Sequence, residues 1–580
     1  GVYQLGTDEA NGMPILMREL LPRRGGQPLT SAVAARDYAV YAAGLTPGSA
    51  NTKIPECSNV TVPAERAGLS LLSMLDSADP VLLAEQLAIP GSHSLYLADD
   101  GWLYAGGLYQ ALQWQPAAGC ELLDFNTIAP GVDNAGQLHQ VLGINLFDPL
   151  LQRSLLLDSN VYDMVRFGDY LLLAAGSKGV ALLKPERPEQ LRYLQLTSAD
   201  QAEPGRVIGL ELLGSSLLVA NDAGGVLLFD LSDLDRPQLL SAGTKLQAKD
   251  LALFKDRVVV AQGQAGFSML DLPGALVTSA SVTEQGILGN NVPLQIQFNE
   301  LMAVESLQQA FTLQNLTTAE SISVQLQADD LQNGAASRFT LQFSAQDNHQ
   351  YRLLLKAGQN ARGGQLLAPF ALQFSYRDTP QPMLSASHNG AVRRGVASQI
   401  SLLGSAIQSD ATLWFGSYQV PFSWQDDGHI TVSSQALDML GMAAGSYPVK
   451  LEQNGLTTSL FGAVMLADSY SDATVKLSAE SGPLNGGNTL TISFDKAVLL
   501  PGTKVMLQSR TGKVVETEQA DDGYYLVNLE DDVLTPHSFS FRLPMSLQPE
   551  VYDVYLRHGT ELFKAGEYSY QIQRGRLIDL

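Results

Sequence analysis

Cysteine is almost missing from this 580-residue chain, with Cys57 and Cys120 the only two. That excludes a disulfide-dense scaffold and any CxxC zinc or redox arrangement. No apolar run reaches the roughly 18 residues that a membrane helix requires, so no membrane insertion is expected in this segment. Basic charge is scarce as well: 36 Lys and Arg stand against 59 Asp and Glu, for a net charge of −23. Without Lys/Arg clusters the chain has no means of gripping phosphate backbones or anionic lipid, so nucleic acid is not an expected partner. The surplus of acid is read as a solubilising surface. Also lacking are HExxH, GxSxG, P-loop and EF-hand patterns, and the seven histidines are scattered. No catalytic residue and no metal ligand is therefore assigned. The chain opens on Gly1 with neither a signal peptide nor an initiator Met, and is read as part of a longer or processed chain.

What the chain does have is 45% apolar residues, enough for about four domains at roughly 150 residues each. Between Val161 and Leu272 one pattern is written three times: VYDMVRFGDYLLLAAGSKGVALLK, VIGLELLGSSLLVANDAGGVLLFDLSDLDRP and KDLALFKDRVVVAQGQAGFSMLDL. In the middle copy, short apolar runs over Val207–Leu213, Leu217–Ala220, Gly225–Leu231 and Gln238–Leu240 are separated by Gly, Ser, Asn and Asp. This predicts a four-stranded antiparallel meander. The runs are apolar throughout, so both faces of each sheet should be covered. Copies must then stack, and radial stacking gives a β-propeller. Gly168 and Gly179 recur as Gly214 and Gly225, then as Lys255 and Gly266. That spacing falls in the range of roughly 40–50 residues expected of a blade. These three copies resemble the LVIVD-repeat family, which implies a propeller over residues 1–274.

Two further copies lie upstream, each split by an insertion. Arg36–Gly44 matches Gly168–Gly176 and resumes at Ala67. Trp102-Leu103-Tyr104-Ala105 matches the inner strand of the next copy, which resumes at Gly143. With Val2–Leu5 and Pro14–Leu16 reading as the back half of a blade, about five to six four-stranded blades are expected. Either earlier blades lie upstream of Gly1, or the N-terminal strand closes the ring by completing the last copy; the second is favoured, because an open ring leaves an exposed edge. The insertions, Leu45–Arg66 and Gly106–Leu142, both fall between the second and third strands and so should share one face. Each carries one cysteine, and a Cys57–Cys120 disulfide in an oxidising compartment is expected; two unrelated thiols are the alternative. The second insertion also brings Tyr109, Trp114, Asp124 and Phe125 near Tyr104. Such a set could stack on a sugar or anchor a protein, or simply pack the loop onto its blade.

Beyond Pro273-Gly274 the strands lengthen and alternate, as in Val292–Glu300, and some seven strands predict a sandwich over residues 275–378. Ile296–Met302 and the stretch from Gly363-Gly364 to Pro369-Phe370 resemble bacterial Ig-like (Big-type) domains. Two more units, 379–468 and 469–573, resemble IPT/TIG domains. The first carries Leu413-Trp414-Phe415-Gly416 and Gly445–Val449; the second opens with Ser481-Gly482-Pro483 and Gly486-Gly487. Residues 574–580 are read as a tail or linker. The fold expected is all-β: a propeller followed by three immunoglobulin-like sandwiches.

The acidic groups Asp99-Asp100, Asp329-Asp330, Asp426-Asp427, Asp521-Asp522 and Glu530-Asp531-Asp532 make calcium the one cofactor the sequence leaves room for, although such pairs usually mark turns. By fold analogy, the expected function is a non-enzymatic bacterial scaffold for binding or adhesion, extracellular or at the cell surface, with the periplasm as the alternative site. Its partner would be a protein or a glycan. One alternative is a polysaccharide-active propeller enzyme, for which Asp163, Glu211 and Asp250 are the only polar residues noted on the inner strands. The other is a structural subunit of a larger cell-surface or secreted assembly.

Overall fold

The computed structural model describes residues 2–572 apart from 8–13, 22–29, 48–51, 54–60, 63–64, 76–80, 88–91, 108–140, 149–150, 156, 158, 160, 195–204, 243–245, 255–256, 511–524, 527–532 and 547–548. It is all-β. An N-terminal hairpin pairs β1 (Val2–Thr7) with β2 (Pro14–Leu21). Five small sheets follow. The first runs β3 (Thr30–Arg36), β4 (Ala39–Pro47), β7 (Glu65–Ser73) and β8 (Val81–Leu87), with the short hairpin β5 (Thr52–Lys53) and β6 (Thr61–Val62) inside its insertion. The second is β9 (Ser92–Leu97), β10 (Trp102–Gly107), β11 (Val141–Asn145) and β12 (Gln152–Leu155). The third is β13 (Met164–Phe167), β14 (Tyr170–Ala174), β15 (Val180–Leu183) and β16 (Arg192–Leu194). The fourth is β17 (Gly209–Leu213), β18 (Ser216–Ala220), β19 (Val226–Asp230) and β20 (Gln238–Ala242). The fifth has three strands, β21 (Asp250–Phe254), β22 (Arg257–Ala261) and β23 (Phe267–Asp271). Both long insertions leave from the second-to-third connection, as the repeat alignment anticipates.

Each of the five is an antiparallel meander, and they stack in a row through their first strands: β3 on β9, β9 on β13, β13 on β17, and β17 on β21. The pleat explains the unbroken apolar runs. In β14, Leu171 and Leu173 point toward Trp102, Tyr104 and Met164, while Leu172 and Ala174 point the other way, toward Leu210, Val219 and Phe229. Neither side of the strand reaches water, so alternation disappears. At about 1.5–3 kcal/mol per buried Leu or Phe, the contact between neighbouring sheets is what holds each thin sheet together. The fifth sheet departs from this. One face packs Leu251, Val258 and Val260 against the fourth sheet, while the other leaves Phe254, Phe267 and Met269 exposed.

Among the described residues the three remaining units are Ig-like sandwiches of nine strands each, with one shared topology. More strands form than sequence periodicity indicates, because the first strand of each unit divides between the two sheets and short edge strands are added. In the first unit Val277–Ala280 pairs antiparallel with Leu294–Ala303, and Gly286–Gly289 then runs parallel to Phe370–Arg377. The same parallel pairing recurs between Ala391–Arg393 and Leu456–Ala467, and between Ser481–Pro483 and Glu561–Gln571. The second and third sandwiches are joined by Arg393, which is 4% exposed. Its guanidinium pairs with Glu561 at 2.9 Å, donates to the carbonyls of Asp468 and Val498, and lies 3.7 Å from the Tyr470 ring.

The sandwiches pack against one side of the row. Tyr38, in the β3–β4 turn, donates its N–H to Phe461 O at 3.0 Å, and the Phe461 N–H donates to Asp37 at 2.9 Å. The Ser387 N–H donates to the Tyr38 hydroxyl at 2.8 Å. From the β11–β12 connection Phe147 packs on Phe461 with ring centres 6.1 Å apart. In the β17–β18 turn the Gly214 N–H donates to Thr278 O, and Ser215 bonds the backbone at Pro369 and Ala371. Gly214 sits at φ +55°, and a β-carbon there would lie 2.7 Å from Val277 O, so this close approach needs glycine.

Candidate functional site

Contacts to the sandwiches come from first-to-second and third-to-fourth connections. In a meander, the second-to-third connections emerge at the opposite end of the sheet, where β4 and β10 end and β7 and β11 begin. Of the sequence-predicted residues, Tyr109, Trp114, Asp124, Phe125, Cys57 and Cys120 lie outside the described residues, as does any disulfide. Tyr104 is described, and it is not a surface aromatic. It is 3% exposed, stacks on Trp102 with centroids 6.2 Å apart, and receives a 3.2 Å hydrogen bond from Arg153. The Arg153 guanidinium also lies over the Trp102 ring at 3.8 Å and pairs with Glu186. Tyr104 alternates with Leu103 and Ala105 along β10, and the pleat sends it into the core shared with the third sheet. A WLYA run reads equally well as surface or core, because a tyrosine tolerates both.

The same side carries a further feature. The turn after the second strand bridges to the segment entering the next sheet: Gly176 pairs with Val207, and Asp222 with Ala248. Gly176, Asp222 and Gly263 occupy the same left-handed turn position, at φ +58°, +45° and +63°. Asp replaces Gly in the middle copy because its short polar side chain tolerates that region. Its carboxylate then receives Lys249 at 2.7 Å and Arg206 at 3.0 Å. Partial burial tends to raise its pKa, but these two cations hold the Asp222 carboxyl below its ordinary value. The signal was present in the sequence as an Asp aligned with two glycines.

The stacked first strands bring together Asp163, Glu211 and Asp250. Asp163 accepts N–H groups from Met164 and from Leu210 of the next sheet, both at 2.7 Å. Glu211 reaches the Leu253 N–H at 3.5 Å, again one sheet further on, and Asp250 accepts from Leu251 at 2.8 Å. Desolvation pushes Asp163 up to about 7; its two N–H donors oppose this, while Asp250 and Glu211 reinforce it. Burial likewise raises Glu211 and Asp250. Asp163 and Glu211 tie one sheet to the next, whereas Asp250 bonds within its own strand.

The described acidic doublets have local partners. Asp99 pairs with Arg36 and Asp100 with Arg166. Asp329 accepts from Thr340, and Asp330 from Ser337 and Arg338. Asp426 accepts from the Gly428 N–H in its hairpin turn. Asp521-Asp522 and Glu530-Asp531-Asp532 lie outside the described residues.

No known protein family and no curated protein matches this sequence. Among solved structures, titin domains I67–I69 align over 52% of this chain and 100% of theirs, at 9% identity and a TM-score of 0.17. The plexin A4 extracellular region, domains 1 to 8, aligns over 93% of this chain and 79% of its own, at 9% identity and 0.19. Drosophila OTK extracellular domains 3–5 align over 52% and 98%, at 9% and 0.17. Superpositions this loose carry no argument. The Ig-like assignment rests on the strand order of the three sandwiches.

Proposed function

We propose that this chain is a non-enzymatic, extracytoplasmic scaffold for binding or adhesion, in which the five meander sheets form a propeller head on three Ig-like modules and the two insertions form the binding surface. One observation carries the reading: the sandwiches occupy the side of the first-to-second turns, through Tyr38, Phe147 and Gly214, and both insertions leave from the other side. A surface built from long loops on a rigid support is a common location for recognition. The partner proposed is a protein or glycan at a cell surface. A glycan array and a panel of surface proteins, probed with the full chain and with Trp114→Ala, test this. Binding that drops at least ten-fold in the variant supports the insertion face. Binding that survives unchanged and maps to the sandwiches overturns it.

A polysaccharide-active enzyme is favoured by one observation, the Asp163 carboxyl held near neutrality beside Glu211 and Asp250. Against it, each of these side chains already accepts a backbone N–H between or within sheets. Release of reducing ends from polysaccharides, abolished in Asp163→Asn, would favour the enzyme.

A further inference from the structure

We infer that β2 is the missing fourth strand of the fifth sheet, so that the N-terminal hairpin pairs with the free edge of β23 and closes the row into a ring. This rests on the propeller reading above and specifies how the ring is joined.

Three observations converge. The fifth sheet stops at β23, an edge strand, whereas each of the first four has a strand in the next position. The hairpin is a sheet of two strands, and among the described residues β2 pairs only with β1, on one side. And β2 stands in the sequence where a fourth strand belongs. Residues 22–29 connect it to β3, just as residues 88–91, 156–163, 195–208 and 243–249 connect the fourth strand of each sheet to the first strand of the next.

The ends of the row also match in chemistry. At one end the fifth sheet exposes Phe254, Phe267 and Met269, at 45%, 78% and 51%. Cross-strand pairing puts Val259 on the same face as Met269. At the other end, Val33 and Ala35 of the first sheet are exposed, while Ala42 and Val40, paired across from them, are buried. An unpaired strand beside an open apolar face invites association with whatever is at hand. A strand already tethered to β3 arrives at high effective concentration and needs no second molecule.

Two measurements on the intact chain separate ring closure from the strand assignment. Hydroxyl-radical footprinting of Phe254 and Met269 reads whether the open face is covered. Amide exchange in Phe267–Asp271 reads whether the outer edge of β23 is paired. If β2 pairs there, both the inward and the outward amides of β23 exchange slowly. Leu16→Pro, which interrupts the β2 ladder, then speeds the outward set at least ten-fold while β17–β20 remain protected. Outward amides that exchange as a free edge in the unmodified chain overturn the assignment. Covered Phe254 and Met269 in that case would mean the ring closes by another strand, whereas uncovered ones would bring down the propeller as well. Protection that grows with protein concentration also overturns it, because a second copy would then be supplying the strand. Should Leu16→Pro fail to fold, Leu5→Pro in the outer strand of the hairpin is the control. It leaves β2 free to pair with β23, so the outward amides stay slow if the assignment is right and are fast if it is wrong.

Discussion

The Asp163→Asn variant should change how stability depends on pH. In the native protein Asp163 titrates near 7 instead of its ordinary 3.8, because burial penalises the carboxylate and Asp250 and Glu211 lie close. A carboxyl raised on folding binds protons more tightly in the folded state, so its contribution favours folding at low pH. That contribution is lost as pH rises from about 4 toward 7. About three pKa units correspond to about 4 kcal/mol at most. Because part of the side chain remains open to solvent, roughly half of that is expected. Asparagine cannot ionise, but it offers only one oxygen to the two N–H groups that Asp163 accepts. One lost hydrogen bond costs about 1 kcal/mol at any pH. The variant should therefore be about 1 kcal/mol less stable than the parent below about pH 4, close to equal near pH 5, and about 1 kcal/mol more stable at pH 8. Urea unfolding followed by fluorescence from Trp102, which lies in the adjacent packed layer, measures this. A stability difference that stays constant from pH 5 to pH 8 would falsify the account of Asp163 as a desolvated tie between sheets.

Arg393→Ala should cost about 3 kcal/mol, since it leaves Glu561 and two carbonyls at the junction of the second and third sandwiches without their cation. Calorimetry should show those two units melting apart, and Arg393→Lys should rescue little, because an ammonium lacks the planar fork that reaches several acceptors. Tyr38→Phe removes the acceptor for the Ser387 N–H and should destabilise the second sandwich and the first sheet together, by about 1 kcal/mol in a joint melting transition. Gly214→Ala should be clearly worse than Gly263→Ala. Both sit at similar positive φ, +55° and +63°, which costs an alanine about 1 kcal/mol, but only Gly214 faces a backbone carbonyl, Val277 O at 2.7 Å, whereas the nearest atom to Gly263 is Lys249 Cγ at 3.9 Å. Equal losses for the two glycine variants would show that the contact with the first sandwich is loose.

Much of the architecture could be read from the residues because its causes are local. Short apolar runs broken by Gly168, Gly214 and Gly225 can form little other than meanders, since those turns need backbone that glycine permits. The alternation in Val292–Glu300 marks a strand with one wet face, and the sandwiches follow. The site was less legible. Tyr104 looks the same in sequence whether it faces water or the third sheet, and only the pleat of β10 against its neighbours makes it core. Asp163, Glu211 and Asp250 were visible as polar residues on inner strands, but their convergence depends on how the first strands stack.

By itself, then, the chain determined its elements: which segments become strands, where they turn, and that thin sheets with two apolar faces must stack. These are consequences of side-chain periodicity and backbone freedom, which act over a few residues. The tertiary structure alone decided which side of the row the sandwiches occupy, the pairing of Tyr38 with Phe461 and Ser387, and the burial of Arg393. Such contacts join residues hundreds of positions apart, and they are chosen by shape and hydrogen-bond complementarity between finished surfaces, which no local pattern encodes.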